Sequence, residues 1–386
     1  MEGRKNVVLL GATGSVGASA LQVLRRRRDC FRLLGISVHR DLERARDIAG
    51  EFGVQYLSVT GKKTPARPFP GIRRLPIEEL VSLDSVDHVI VAIPGLTALR
   101  PLLSALGAGK KIALANKESV VVAGHLLRRA LQTSKATLLP VDSEHSGIFQ
   151  CLGSRTEVFF SKVPALKKIW LTASGGPFRD LTVEQLSRVT VADALRHPTW
   201  SMGAKISVDS ATLANKGLEK IEAGWFYDIE PAEIDAVIHR ESIVHGLVEF
   251  CDGTMLAQLS PSSMEFPIAH CLDFPKKSSV AAAGIDLLTL GALHFEAPDR
   301  VRFPCLALAE AAFEAGRSSP CDFEGANRVA VEAFLREDIA FMDIPKIIGE
   351  VLSTLVPVDL PDLTSVEERY VEVRRRTLEK ISRTRR

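Results

Sequence analysis

An apolar strand that runs straight into closely spaced glycines and then into a helical pattern leaves a chain few folds to choose from. Residues 7–10 (V-V-L-L) lead into G-A-T-G-S-V-G at 11–17, and A-S-A-L-Q-V-L follows at helical spacing. Glycines let the backbone turn tightly beneath a pyrophosphate, and the helix that comes next presents unpaired N–H groups and the positive end of its dipole to that group. The spacing is G-x-x-G-x-x-G rather than the commoner G-x-G-x-x-G, so the strand and helix around the turn carry the inference of a dinucleotide site. A second strand, 33–37, ends in His39, Arg40 and Asp41, where the adenosine ribose should lie. Arg40 there favours a 2′-phosphate and hence NADP(H), whereas the acid Asp41 favours free ribose hydroxyls and NAD(H).

The strand–helix alternation continues. Short apolar strands at 7–10, 33–37, 88–93, 111–115 and 138–141 alternate with helical stretches, as in a doubly wound parallel sheet. The expected fold is therefore α/β, with an N-terminal Rossmann-type sheet domain over residues 1–142. Strand candidates at 168–173, 235–239, 246–250 and 254–259 among helices point to a central α+β catalytic domain, 143–274. A Pro- and Gly-containing stretch of little periodicity, 275–301, reads as a linker, and apolar residues at helical spacing from 302 to 386 read as a C-terminal α-helical bundle.

Two segments carry carboxylates in a suggestive pattern. The run T-L-L-P-V-D-S-E ends in Asp142 and Glu144, and D-S-A-T-L-A-N-K-G-L-E closes on Glu219. If residues 137–144 are extended, Asp142 and Glu144 point to one face and Ser143 to the other. Ser210 reads as the N-cap of a helix on which Asn215 and Glu219 share a face, with Lys216 beside them. Carboxylates gathered without a counter-charge repel one another, so such a cluster usually holds a cation, and an all-oxygen set suits a hard one. Solvated loop acids and a wet helix face would be the bland alternative for either segment alone.

Composition excludes several classes. With 386 residues, 46% hydrophobic and 25% charged, the chain can bury a large core. Its formal net charge is +2, and the arginine runs at 25–28 and 374–376 lack interleaved aromatics, which argues against nucleic-acid binding. No apolar stretch approaches the roughly 20 residues of a membrane span. Six scattered cysteines without a C-x-x-C pair suit reduced thiols, and the first strand begins within a few residues of Met1, so a cytoplasmic protein without a leader is expected.

The ordered motifs G-A-T-G-S-V-G, L-A-N-K-E-S (114–119), P-V-D-S-E-H (140–145), T-A-S-G-G-P-F (172–178), the run from His197 to Glu219, and the stretch from L-A-Q-L to P-I-A-H (256–270) together resemble the 1-deoxy-D-xylulose 5-phosphate reductoisomerase family nearly end to end. The resemblance implies an NADPH-dependent enzyme that rearranges the skeleton of 1-deoxy-D-xylulose 5-phosphate and reduces the resulting aldehyde to 2-C-methyl-D-erythritol 4-phosphate, in non-mevalonate isoprenoid biosynthesis. It further implies Mg²⁺ or Mn²⁺ held by Asp142, Glu144 and Glu219, and a substrate-phosphate pocket with its neighbourhood at Ser174, Ser210, Asn215 and Lys216. Lys117, which reads as ending the 111–115 strand at the carboxyl edge of the sheet, falls with Ser143 and His197 at substrate-contacting positions, and Trp200 would pack over the substrate backbone. Thr13, Gly14, Ser15, Val16, Arg40, Asn116, Glu118 and Gly203 match cofactor-contacting positions, and a homodimer joined through the central sheet is implied. Residues 174–203 look like a closing lid. The sequence departs from the family pattern at A-I-P-G (92–95), at His39-Arg40-Asp41, and at L-S-P-S-S-M-E (259–265), where Met264 keeps its place. A general NADP-dependent dehydrogenase or a nucleotide-binding sensor would explain the first domain but would leave the acids without a task.

Overall fold

Each expected apolar run of the N-terminal half forms a strand because it can be covered on both faces. In the computed structural model, which describes residues 3–61, 69–200, 202–278 and 284–384, these are β1 (Lys5–Leu10), β2 (Phe31–Val38), β3 (Tyr56–Val59), β4 (Arg73–Arg74), β5 (His88–Val91), β6 (Lys111–Leu114) and β7 (Thr137–Pro140). All pair in parallel in the order β4-β3-β2-β1-β5-β6-β7. Val7 to Leu10 are fully buried, and the following helix, Ser15–Arg26, turns Ala20, Leu21, Val23 and Leu24 onto the sheet. The chain builds outward from β1 to β4 and then returns to place β5 on the other side of β1. That reversal opens a crevice at the carboxyl ends of β1 and β5, beside the glycine turn. Two strands at one end of the sheet, β3 and the edge strand β4, were not among those expected; both residues of β4 are exposed arginines, which leave no apolar signature.

The central region has a four-stranded sheet of β8 (Leu166–Ala173), β9 (Ile234–Ile238), β10 (Val244–Phe250) and β11 (Met255–Leu259) in the order β11-β10-β8-β9, with only β8 and β9 parallel. After residue 284 the chain contributes a short helix, Leu287–Leu290, and a bridge from Glu296 to Ile238 at the end of β9. Residues 279–283 of the expected linker lie outside the described residues. Four longer helices follow: Pro304–Ala315, Ser319–Leu335, Asp343–Leu352 and Leu363–Thr384. Apolar packing does not stop at residue 142, for one cluster runs from the large sheet through Ile148 and Phe149 to Ile169 and Val248. A second joins the helices Ala204–Ala211 and Ala214–Tyr227 to the C-terminal helices through Ala214, Leu218, Cys305, Leu306 and Phe323.

Three local expectations need correction. Asp142 and Glu144 do not share an extended strand: β7 stops at Pro140, and Asp142 is the N-cap residue of a helix, Ser143–Cys151, that carries Glu144 in its first turn. Ser210 is no N-cap. It sits inside the helix Ala204–Ala211, and Leu213, held at φ 59°, separates that helix from Ala214–Tyr227. Lys117 does not end a strand but heads the helix Lys117–Gln132, capped by the Asn116 side chain.

Candidate active site

The three acids meet although they come from two helices far apart in sequence. One carboxylate oxygen from each of Asp142, Glu144 and Glu219 lies within 4.8 Å of the other two. Two lysines are threaded between them, so the cluster is not free of counter-charge as expected. Lys117 Nζ lies 2.6 Å from Asp142 Oδ2, 2.8 Å from Glu219 Oε1 and 2.7 Å from Asn215 Oδ1. Lys216 Nζ lies 2.7 Å from Glu144 Oε1 and also donates to Glu219 Oε2, while Asn215 Nδ2 donates to Glu219 Oε1. Glu219 is 1% exposed.

The electrostatics follow from that threading. Burial alone would lower both lysines, but Asp142, Glu219 and Glu222 raise Lys117 well above its ordinary range, and Glu144 and Glu219 raise Lys216. Burial would raise Asp142, yet Lys117 and His145 hold it below the usual carboxylate range. Glu144 goes the other way. Burial and the adjacent Glu219 charge push it up to about 7 despite its contact with Lys216. A raised acid paired with a raised lysine looks inconsistent, but Lys216 is shared between Glu144 and Glu219, and at Glu144 burial and the Glu219 charge outweigh its pull. The cluster carries one more carboxylate than ammonium. With oxygen donors only, its chemistry fits a hard divalent cation, and the two ammonium nitrogens now lie where positive charge is wanted.

A second constellation surrounds His197. Its Nδ1 accepts from the backbone N–H of Thr199 at 3.2 Å and of Trp200 at 2.9 Å, so the ring proton belongs on Nε2. Nε2 then lies 3.0 Å from Ser174 Oγ and 3.1 Å from Ser210 Oγ. Burial and Arg179 lower His197 to about 4, which keeps this ring neutral. Ser210 lies in the last turn of its helix, where its hydroxyl has no capping role and meets the ring. Gly176, at φ 71°, allows the close approach: a Cβ there would sit 2.7 Å from the Ser210 carbonyl oxygen. The expected lid, 174–203, is ordered by two short helices, Val183–Leu186 and Val191–Ala194, each with a capping box, and Phe178 packs edge-on against Phe341 of the C-terminal region. Ser201 within it lies outside the described residues.

Both constellations open into one cleft of about 990 Å³, its mouth included. Lys117, Ser143, Trp200, Asn215 and Lys216 line it with the acids and with Ser174, His197 and Ser210. Met202, Ile206, Leu213 and Met264 give it an apolar wall. Of these only Met264 was singled out in the sequence, because Ile206 and Leu213 look like ordinary core residues there and Met202 is visible only as the neighbour of the Trp200 motif.

Ser15 and Val16 of the glycine turn line the same cleft, which brings the nucleotide end to the acids. Glycine is required here: a Cβ on Gly11 (φ 82°) would lie 2.4 Å from the Ala92 carbonyl oxygen, and one on Gly17 would lie 2.4 Å from that of Gly11. Gly14 is the N-cap of the helix beginning at Ser15, and the Thr13 carbonyl accepts from Arg44 Nη1 at 3.2 Å. Arg40 is exposed at the end of β2, whereas Asp41 is occupied as an N-cap, accepting from Arg44 N at 3.0 Å. Asn116 and Glu118 are buried and engaged. Asn116 Nδ2 donates to Ile93 O, Gly95 O and Glu118 Oε2, and Glu118 Oε1 accepts from Arg328 at 2.7 Å. Gly203 is the N-cap of Ala204–Ala211, close to the cleft but not lining it.

Known proteins resemble this chain over nearly its whole length. Family models described as 1-deoxy-D-xylulose 5-phosphate reductoisomerase, as its C-terminal domain and as the DXP reductoisomerase C-terminal domain match residues 7–124, 138–227 and 259–379. The 1-deoxy-D-xylulose 5-phosphate reductoisomerase of Ectopseudomonas mendocina (strain ymp) is 44% identical over 361 residues, covering 90% of this chain and 91% of that protein. That of Geobacillus sp. (strain WCH70) is 43% identical over 380 residues, 96% and 98% of the two chains. Among solved structures, a DOX-P reductoisomerase in complex with NADPH, fosmidomycin and magnesium superposes with a TM-score of 0.88 at 36% identity over 98% of each chain. The Zymomonas mobilis enzyme in complex with NADPH gives 0.86 at 34% identity over 98% of this chain and 99% of that one. This chain belongs to the 1-deoxy-D-xylulose 5-phosphate reductoisomerase family.

Proposed function

We propose that the chain converts 1-deoxy-D-xylulose 5-phosphate to 2-C-methyl-D-erythritol 4-phosphate with NADPH and a divalent cation. The observation that carries this is the single cleft in which the acid cluster faces Ser15 and Val16 of the nucleotide turn. Asp142, Glu144 and Glu219 would hold Mg²⁺ or Mn²⁺, which supplies Lewis acidity to neighbouring substrate oxygens during the carbon-skeleton rearrangement, as NADPH supplies the hydride afterwards. Lys117 and Lys216 line the cleft, and with their carboxylates given over to a cation they would be free to bind substrate oxygens. Asn215 and Ser143 present an amide and a hydroxyl beside them. The neutral His197 donates through Nε2, and Ser174 and Ser210 offer hydroxyls, a set that suits phosphate oxygens without adding a charge. Trp200 covers the cleft from the 174–203 stretch, whose closure would exclude water from the intermediate aldehyde. Thr13, Gly14, Ser15, Val16, Arg40, Asn116, Glu118 and Gly203 form the cofactor side, with the 2′-phosphate at Arg40.

The test is loss of NADPH absorbance with 1-deoxy-D-xylulose 5-phosphate and Mn²⁺, beside chelated and NADH controls. Metal-dependent oxidation of NADPH is expected, and full activity after exhaustive chelation would sink the reading.

Two further assignments belong here. Strand β11 is an edge of the central sheet and exposes Met255 and Leu256, each about half, together with Leu259. This supports a homodimer joined through that sheet; sedimentation showing only monomer at micromolar concentration would contradict it. A cytoplasmic location is supported by six cysteines that are all free.

A further inference from the structure

Glu324, in the C-terminal helix Ser319–Leu335, is a carboxylate with no exposure to solvent and no part in the cleft. Its Oε1 lies 3.0 Å from Arg328 Nη2 and 3.6 Å from Lys205 Nζ. Arg328 reaches out of the bundle, and Lys205 reaches in from the helix Ala204–Ala211. Arg328 Nη2 also lies 2.7 Å from Glu118 Oε1, and its guanidinium is packed so closely on the turn after β5 that a Cβ on Gly95 would sit 2.9 Å from Cζ. From Glu118 the network continues through Asn116 Nδ2 to the carbonyls of Ile93 and Gly95, while Asn116 Oδ1 caps the helix that carries Lys117. On the other arm, Lys205 pairs with Asp209 at 2.7 Å on the helix that carries Ser210, and Asn327 Nδ2 donates to Asp209 at 2.8 Å.

A buried charge is costly unless paired, and the two cations that pair with this one, Arg328 and Lys205, each hold one half of the site; the Tyr370 hydroxyl adds a neutral contact within the bundle. Burial would raise Glu324, but Arg328 and Lys205 keep it below its ordinary value, so this carboxylate stays charged between its two cations. A bundle that merely packed beneath the site would not need a cation spanning 210 residues of sequence to reach Glu118.

We propose that Arg328, anchored by Glu324, is a positioning residue for the cofactor: it fixes Glu118, Asn116 and the 93–95 turn in the geometry that NADPH binds, and thereby makes the C-terminal bundle part of cofactor recognition. This rests on the reading of Asn116 and Glu118 as cofactor contacts. Removing the guanidinium leaves Glu118 free to swing and the turn without its support, so NADPH binding should suffer more than substrate binding.

The experiment measures the NADPH dissociation constant by fluorescence on the full chain, without substrate, and the melting temperature of the same samples. Arg328→Met is expected to weaken NADPH on the order of tenfold, the scale of one charge-assisted hydrogen bond, while KM for the sugar phosphate moves less than about threefold. Arg328→Lys, which keeps the charge but loses the two-pronged reach, should recover part of the loss, and it stands in for Arg328→Met should that variant fail to fold. The control is Arg369→Met. It breaks another buried pair of the same bundle, with Asp322 at 2.6 Å, but one with no contact to the cofactor side. It should lower the melting temperature and leave NADPH affinity within about twofold. Equal loss of affinity in the Arg328 and Arg369 variants, or unchanged affinity in both Arg328 variants, overturns the proposal. Wild-type protein that binds NADPH but fails to turn over the sugar phosphate would instead count against the proposed reaction and leave this inference standing on its binding data.

Discussion

Replacing Glu219 by glutamine separates a metal site from a mere ion-pair cluster. The side chain keeps its shape and one oxygen, but a unit of negative charge is lost from a position 1% exposed. At about 4 Å and an effective dielectric of about 20, one charge is worth about 4 kcal/mol to a univalent cation. Divalency enlarges that figure and the two neighbouring ammoniums reduce it, so a loss of roughly a thousandfold in Mn²⁺ affinity is expected. The fold should tolerate the change, because each ammonium keeps a carboxylate: Lys117 retains Asp142 at 2.6 Å and Lys216 retains Glu144 at 2.7 Å. Calorimetric titration of metal-free protein with Mn²⁺ reads the affinity directly. A thermal-shift series gives a second readout, since Mn²⁺ raises the melting temperature of wild type through preferential binding to the folded state and should not do so in Glu219→Gln. Turnover should vanish while NADPH still binds. A variant whose Mn²⁺ affinity stays within about threefold of wild type would refute the assignment of the cluster to a cation.

Glu144 predicts a pH dependence. Burial and Glu219 push it to about 7, so below that pH it carries a proton that a cation must displace. Mn²⁺ affinity should fall as pH drops through 7, and calorimetry at pH 6 in buffers of different ionisation enthalpy should report release of about one proton; binding that is independent of pH from 6 to 8 would contradict this. For metal-free stability the sign is opposite: with a folded value above the ordinary 4.5, the contribution of Glu144 is full below 4.5 and lost as pH rises through 7. Gly17→Ala places a Cβ 2.4 Å from the Gly11 carbonyl oxygen and 2.8 Å from the Ala12 carbonyl carbon, backbone atoms that yield little, so it should cost about 1–3 kcal/mol and most NADPH binding. A stable variant with unchanged affinity would show that the turn has slack. Arg40→Ser should reduce the preference for NADPH over NADH about tenfold or more, while Asp41→Ala, a lost N-cap, should cost about 1 kcal/mol and leave that preference alone. Dissociation constants for both nucleotides decide between the two residues.

What was legible in the sequence and what was not divides along physical lines. The buried strands β1, β2, β5, β6 and β7 announce themselves because a strand covered on both faces must be a continuous apolar run. Strand β4 has no such obligation and shows only two exposed arginines. The helix beginning at Ser143 had a signal that the strand reading passed over: an acid at the N-cap position and another in the first turn, directly after a proline-terminated strand. The break before Ala214 had none, since a leucine at φ 59° is a conformation that β-carbon sterics disfavour and that tertiary packing imposes. The lysines illustrate a deeper limit. Lys117 and Glu219 meet across 102 positions, and nothing local says that an ammonium will stand between the acids. Yet that pairing decides how the site works. Three buried carboxylates alone would resist folding until a cation arrived, whereas three carboxylates held by two ammoniums can fold first and be loaded afterwards. A divalent cation held by Asp142, Glu144 and Glu219 would have to compete with Lys117 and Lys216 for these carboxylates, so that filling the metal site would free both ammoniums toward the cleft and couple metal binding to substrate binding.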